Sequence, residues 1–211
     1  MKIICTADLH GHLPTIESCD LLLIAGDICP YQNHMQSYQR RWLFETFAPW
    51  IKRTPARERI LVWGNHDWIA ERTPHLIPPM AATILTDQLT EFDGLRVYGL
   101  PWQRRFMDWA FNLDTPELDR KYEVIPDCDI IVSHGPPFGY GDYSPYEQQQ
   151  CGSQGFVDAI DRIQPKLVVF GHIHEGSGKY ERGQTTLINA THMDANYRPL
   201  YKPWVIEMEA S

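Results

Sequence analysis

The chain is predicted to be an α/β protein in which helices flank a mixed sheet or two stacked sheets. Two observations predict this. Apolar runs of four to six residues, short for helices and closed by polar or Gly-containing clusters, recur along the sequence and alternate with segments of helical composition. In the middle and near the end, further runs alternate more strongly or crowd around turn signals, which predicts antiparallel strands added to a parallel set.

In chain order, KIICTADLHG and LLLIAGDI are read as the first two strands with the turns that follow them, and Gln36 to Lys52 as a helix. RILVWGNHD is the third buried strand, and LRVYG (95 to 99) is one of the antiparallel additions. A helical piece over Thr115 to Tyr122 precedes DIIVSHGPP, the fourth buried strand. The stretch from Pro136 to Ser153 is rich in Gly, Pro and Tyr and has little periodicity, which predicts a long functional loop. Gly155 to Ile163 is helical and KLVVFGHIH is the fifth buried strand. The antiparallel additions resume at Lys179 to Arg182, Thr185 to Asn189 and Trp204 to Met208. With 211 residues, 43% of them hydrophobic, the chain can bury one sizeable core, and a single domain over residues 1 to 211 is expected.

Asp8 and His10 stand where a secretory leader would need its apolar segment, and no run approaches the ~20 apolar residues of a membrane span. A soluble, cytoplasmic protein without a membrane partner is expected. Five cysteines without a C-x-x-C pair suggest neither a disulfide framework nor a thiolate zinc site, and Cys5 reads as a buried thiol. The net charge of -8 opposes non-specific binding to nucleic acid.

What ends the five buried strands carries the chemistry. The clusters are Asp8-Leu9-His10, Gly26-Asp27, Gly64-Asn65-His66-Asp67, Ser133-His134-Gly135 and Gly171-His172-Ile173-His174. The carboxyl ends of parallel strands open into one crevice, so five such ends can converge. A lone Gly-Asp is ordinarily a turn and a lone Ser-His-Gly a hydrogen-bonded loop. Five clusters of one chemical kind, all at strand ends, point instead to a metal site. The oxygens and imidazoles, with no thiolate, suit Mn, Fe or Zn. Asp8, His10, Asp27, Asn65, His134, His172 and His174 are too many ligands for one ion, whereas two divalent ions sharing a carboxylate would use them all.

The series D-x-H, G-D, G-N-H-[D/E], H, G-H-x-H, from Asp8 to His174, resembles the calcineurin-like metallophosphoesterase superfamily. GLPWQ (99 to 103), FNL (111 to 113), SHGPP (133 to 137), FGHIHEGSG (170 to 178) and INA (188 to 190) are similar to the metallophosphoesterase-domain-containing group related to class III cyclic-nucleotide phosphodiesterases. The resemblance implies a four-layer αββα sandwich of two mixed β-sheets flanked by helices. It places Asp8, His10 and His174 on one ion, Asn65, His134 and His172 on the other, and Asp27 between them. His66 would contact the phosphate beside Asn65 and act as general acid. Asp67, the motif's acidic position, would orient its neighbours. The implied reaction is attack on a small phosphodiester, plausibly a 2',3'- or 3',5'-cyclic nucleotide, by a hydroxide held between the ions. The Asp-Arg pair of the protein phosphatases' G-D-x-x-D-R-G is missing from GDICPYQ, which leaves the support of His66 open.

Other residues have two readings each. His12 either touches substrate or closes a turn. Trp63 and Trp68 are expected to pack, while Trp102, Tyr140, Tyr143 and Tyr146 either pack or stack on a base. Glu175 and Asp194 are candidates for steadying the metal-bound histidines. The competing functions are a phosphomonoesterase using the same site and a non-catalytic metal- or nucleotide-binding regulator. An amidohydrolase barrel would place its H-x-H early in a longer chain.

Overall fold

The computed structural model describes residues 1 to 208. The strands of the first half are β1 (Lys2–Thr6), β2 (Cys19–Ala25), β3 (Ala56–Val62), β4 (Thr83–Ile84), β5 (Gln88–Phe92) and β6 (Leu95–Leu100). Two short ones, β7 (Gln103–Arg104) and β8 (Asn112–Leu113), precede β9 (Ile130–Ser133), and the pair β10 (Tyr143–Ser144) and β11 (Gln149–Gln150) follows it. The chain continues through β12 (Leu167–Phe170), β13 (Gly178–Arg182), β14 (Thr185–Asn189) and β15 (Trp204–Glu207). The α-helices are α1 (Gln36–Trp42), α2 (Ala48–Arg53), α3 (Trp68–Arg72), α4 (Thr115–Glu123) and α5 (Gln154–Ile163).

Two large mixed sheets form. In the first, of order β15-β1-β2-β3-β4, the last four strands are parallel and β15 is antiparallel to β1. In the second, of order β13-β14-β12-β9-β6-β5, the four inner strands are parallel and each edge strand is antiparallel to its neighbour.

Successive residues of a strand face opposite sides, so each sheet has two apolar faces to cover. Ile3, Cys5, Leu21, Leu23 and Ile60 of the first sheet meet Val97, Ile130, Val132, Leu167, Val169 and Ile188 of the second. Their neighbours Ile4, Leu22, Ile24 and Leu61 face outward, onto Leu43, Phe47 and Ile51. Those three lie four residues apart along one helical face. On the far side, Ile131, Val168, Phe170 and Leu187 pack against Leu118 and Tyr122 of α4 and Phe156 and Ile160 of α5. Three apolar layers between four structural layers make the expected αββα sandwich. Each fully buried Leu or Ile contributes ~1.5–3 kcal/mol relative to exposure.

The helix read over 36 to 52 is continuous, with a π-helical turn at Leu43–Phe47 joining α1 to α2. That wider turn lies just ahead of Pro49, whose ring and missing N–H are incompatible with a regular α-helical interior. The long loop contains the β10–β11 hairpin. α5 begins at its Ser153 cap, whose hydroxyl accepts from the Phe156 N–H at 3.2 Å. No helix among the described residues is long and apolar enough to cross a membrane.

Candidate metal centre

β1, β2 and β3 lie side by side in parallel, as do β9 and β12 in the other sheet, and all five point their carboxyl ends at one edge of the sandwich. The ladder between β1 and β2 runs on past the strands, with the Asp8 N–H donating to Gly26 O at 3.0 Å and the His10 N–H to Asp27 O at 2.8 Å. The two sheets join there: the Ala7 N–H donates to Ala190 O and the His192 N–H to Ala7 O, each at 2.8 Å. Asp8, His10, Asp27 and His172 have φ of 53°, 44°, 52° and 73°. The left-handed backbone at these four positions turns their side chains inward at the ends of extended strands, a cost accepted where function needs it.

The seven candidate ligands come together. His10 Nε2 lies 3.2 Å from His174 Nε2, and His174 Nε2 lies 4.0 Å from Asp8 Oδ1. Asn65 Oδ1 lies 2.7 Å from both His134 Nε2 and His172 Nδ1. Asp27 Oδ2 stands between the groups, 3.6 Å from His10 Nε2 and 3.5 Å from His134 Nε2. The triads Asp8–His10–His174, His10–Asp27–His66 and Asp8–Asp27–His134 are each compact enough to hold an ion.

The donor set fits divalent metal. The far nitrogens of His134 and His174 donate to the carbonyls of Ala25 (2.9 Å) and Asp194 (3.0 Å), which leaves each Nε2 facing the cluster as the ligating atom. Asn65 gives its oxygen to two imidazoles while its buried Nδ2 has no partner, an arrangement an amide adopts to offer oxygen to a cation. Burial lowers His10 well below the usual histidine range and His172 to about 3, so both present lone pairs. Burial opposes charge on His134 as well, yet Asp27 beside it raises this residue to about 9. Burial likewise favours a neutral Asp27, but His134 and His66 hold it well below the usual carboxylate range. In metal-free protein His134 therefore holds a proton where a cation would sit. Metal uptake at pH 7 should expel it, with affinity rising about tenfold per pH unit up to about pH 9. Calorimetric titration in buffers of differing ionisation enthalpy measures that release.

The motif glycines leave room for these groups. A Cβ on Gly64 would collide with Asp27 and the His134 ring, and one on Gly171 with Asp8. Gly64→Ala should weaken metal binding at least ~10-fold with the fold retained, as read by metal titration beside circular dichroism.

Asp67 is fully buried and outside the cavity. Its carboxylate accepts from the N–H groups of Ile28 (3.1 Å), Cys29 (2.8 Å) and Gly64 (2.8 Å), binding the loop after β2 to the loop after β3. Burial and then Asp27 raise it to about 6, against the pull of these donors. His66 is nearly buried and lines the cavity. Burial lowers it to about 4, with Asp27 opposing and His34 adding to the shift. Its N–H donates to Asp27 Oδ1 at 2.7 Å, and its carbonyl accepts from the Gln39 amide at 2.6 Å. Gln39 Oε1 also accepts from the Ile69 N–H at 2.9 Å, so one buried amide spans the turn.

The weaker candidates divide. His12 is exposed and closes a turn through its N–H to Leu9 O. Trp63 and Trp68 are buried in the layer under the helices. Trp102 donates to Asp87 at 2.8 Å with Lys121 over its ring, and Tyr140 packs near α5. Tyr146 lines the cavity, whereas Tyr143 is exposed outside it. Glu175 lines the cavity rim, and it is the backbone of Asp194, not its carboxylate, that steadies His174. That carboxylate instead accepts from Arg198 and from the N–H of Asn196, shaping the turn that carries Tyr197. The Tyr197 ring lies 4.8 Å from His10 and stacks on Tyr31 at 4.2 Å. Sequence reasoning missed Tyr31, His34, Gln39, Phe106, Trp109 and Tyr197. Of these only Trp109 and Phe106 carried a signal, as aromatics in a loop-like stretch just ahead of FNL.

A four-layer αββα sandwich with carboxylates, an amide and imidazoles gathered at its strand ends defines a metallophosphoesterase. The family model for calcineurin-like phosphoesterases matches residues 1–176, and the chain belongs to that family of metal-dependent phosphoester hydrolases. It is 30% identical to metallophosphoesterase domain-containing protein 1 of Homo sapiens, over 98% of this chain and 71% of that one. A UPF0046 protein of Caenorhabditis elegans is 35% identical over 99% of this chain and 60% of its own length. A crystal structure of a Thermus thermophilus protein shares the fold, with a TM-score of 0.54 at 16% identity over 89% of this chain and 88% of that one.

Proposed function

We propose that the chain is a two-metal phosphodiesterase acting on small, singly charged diesters that carry a planar or apolar group, a nucleotide-like class. The observation that carries this is the cavity over the cluster. About 400 Å³ in volume, it opens onto Asn65, His66 and His172, and Phe106, Met107, Trp109 and Tyr146 supply an apolar wall. Its described lining includes Glu147 and Glu175 and neither Lys nor Arg. A phosphodiester brings one negative charge and an organic group on each side. A monoester brings a second charge toward a wall that carries two carboxylates and neither Lys nor Arg.

Asp8, His10 and His174 would hold one ion, Asn65, His134 and His172 the other, with Asp27 shared. Bound there, the ions supply Lewis-acid charge for the phosphoryl oxygens and make a water acidic enough to serve as nucleophile near neutral pH. The chain's own part is positional and protic. Asp27 fixes the His66 backbone through its N–H. His66 faces the cavity and gives its Nε2 proton to the departing oxygen. Burial keeps its own proton affinity low, and a phosphate anion beside the ring favours the protonated form. The aromatic wall takes the organic group and excludes water from that side.

The test compares 2',3'- and 3',5'-cyclic nucleotides, a bis-aryl phosphate and an aryl monophosphate on manganese-loaded, metal-quantified protein. Diesters should be favoured in kcat/KM by at least ~10-fold. Preference for the monoester by orders of magnitude would replace this reading with a phosphomonoesterase.

A further inference from the structure

We infer that His34 is a positioning residue for this reaction, holding His66 by an imidazole–imidazole hydrogen bond in the orientation that protonates the leaving oxygen. The inference rests on the proposed general-acid role of His66. His34 Nε2 lies 2.9 Å from His66 Nδ1, inside normal hydrogen-bond range for two ring nitrogens. With Nδ1 engaged away from the cavity, the nitrogen left for chemistry is Nε2. The ring is gripped from several directions. Gln39 holds the backbone carbonyl, Asp27 the backbone N–H, and the rings of Trp109 and His10 pack at 4.7 Å and 4.9 Å. None of those contacts is a hydrogen bond to a ring nitrogen, so none selects which nitrogen carries the retained proton; the His34 bond to Nδ1 does.

His34 comes from the loop ahead of α1 and is itself held, half-buried, with its ring 5.8 Å from that of Trp68. Among the described residues, no carboxylate pairs with the side chain of His66. A neutral imidazole acceptor orients the donor without adding negative charge to a pocket that must admit a phosphate. In the step itself, hydroxide forms a new bond to phosphorus as the P–O bond to the leaving group breaks, its electron pair passing to the departing oxygen. The Nε2–H bond of the His66 imidazolium breaks as the O–H bond of the product alcohol forms. His66 is left neutral, its Nδ1 proton still shared with His34 Nε2.

The experiment compares His34→Leu, His34→Gln and His66→Ala with the parent protein on two diesters, one with a nitrophenolate leaving group, which departs without protonation, and one with an alkoxide, which does not. His34→Leu should lose at least ~10-fold in kcat on the alkoxide substrate and less than ~3-fold on the nitrophenyl one, at unchanged metal content. His34→Gln, whose amide oxygen reaches the position of the lost Nε2 and restores a neutral acceptor, should recover most of the loss. In the zinc-loaded protein, the low-field imidazole N–H proton of His66 should be visible by NMR and vanish in His34→Leu. Equal losses on both substrates, no loss on either, or an N–H signal unchanged in His34→Leu would overturn the positioning role. Absence of leaving-group dependence in His66→Ala would instead show that the general-acid reading beneath it has failed.

Discussion

Asp27→Ala is expected to bind at most one divalent ion per chain and to hydrolyse phosphodiesters at least ~10³-fold more slowly than the parent. The carboxylate stands within 3.6 Å of His10 Nε2 and 3.5 Å of His134 Nε2, one from each proposed ligand group, and its other oxygen accepts the His66 N–H. Its loss also removes the largest cause of the raised proton affinity of His134, which should fall in the variant. Elemental analysis of the purified variant beside kcat on a diester checks both parts. Two ions per chain with near-parental turnover would refute the shared-carboxylate assignment.

The second large effect is on stability. Asp67→Ala should cost the metal-free protein ~3 kcal/mol or more, because the buried N–H groups of Ile28, Cys29 and Gly64 lose their acceptor together. Asp67→Asn should cost less. Its remaining oxygen can serve Ile28 and Cys29, while its NH₂ would face the Gly64 N–H, donor against donor. Urea denaturation of the three proteins with an excess of chelator supplies the comparison. If alanine and asparagine are equally tolerated, the carboxylate does not tie the two loops together as described.

The candidate ligands stood out in the sequence because each lies at the end of a short apolar run, where the periodicity stops and a Gly stands close by. That Gly is itself a consequence of the site: at 64 and 171 a side chain would occupy ligand space. The layered fold was legible for a related reason, since buried parallel strands read as continuous Val, Ile and Leu. Strand β5 was not. Its sequence QLTEF sits on a sheet edge and is half polar, so its composition resembles a turn. α3 escaped because its five residues begin directly after the Gly-Asn-His-Asp cluster and present no full helical repeat. His34, Gln39 and Tyr197 lay beyond reach for a different reason. Each meets the site through a fold-dependent contact, and nothing in ICPYQNHMQSYQ marks one histidine and one glutamine as reaching the same turn, the first from the loop ahead of α1 and the second from the helix itself.

The seam at Ala7, where β1 leaves its own sheet to bond with Ala190 and His192, has a consequence for the whole molecule. Asp8, His10, Asp27 and Asn65 come from one sheet, and His134, His172 and His174 from the other. Metal held by both sets would act as a rivet between two halves that otherwise meet, among the described residues, largely through non-directional apolar contact. Folding and loading are then a single equilibrium: at a free metal concentration 100 times the dissociation constant, one site adds ~2.7 kcal/mol to the folded state. A cell starved of the metal would hold less intact protein as well as less activity, so the abundance of the enzyme would itself report the supply of its ion.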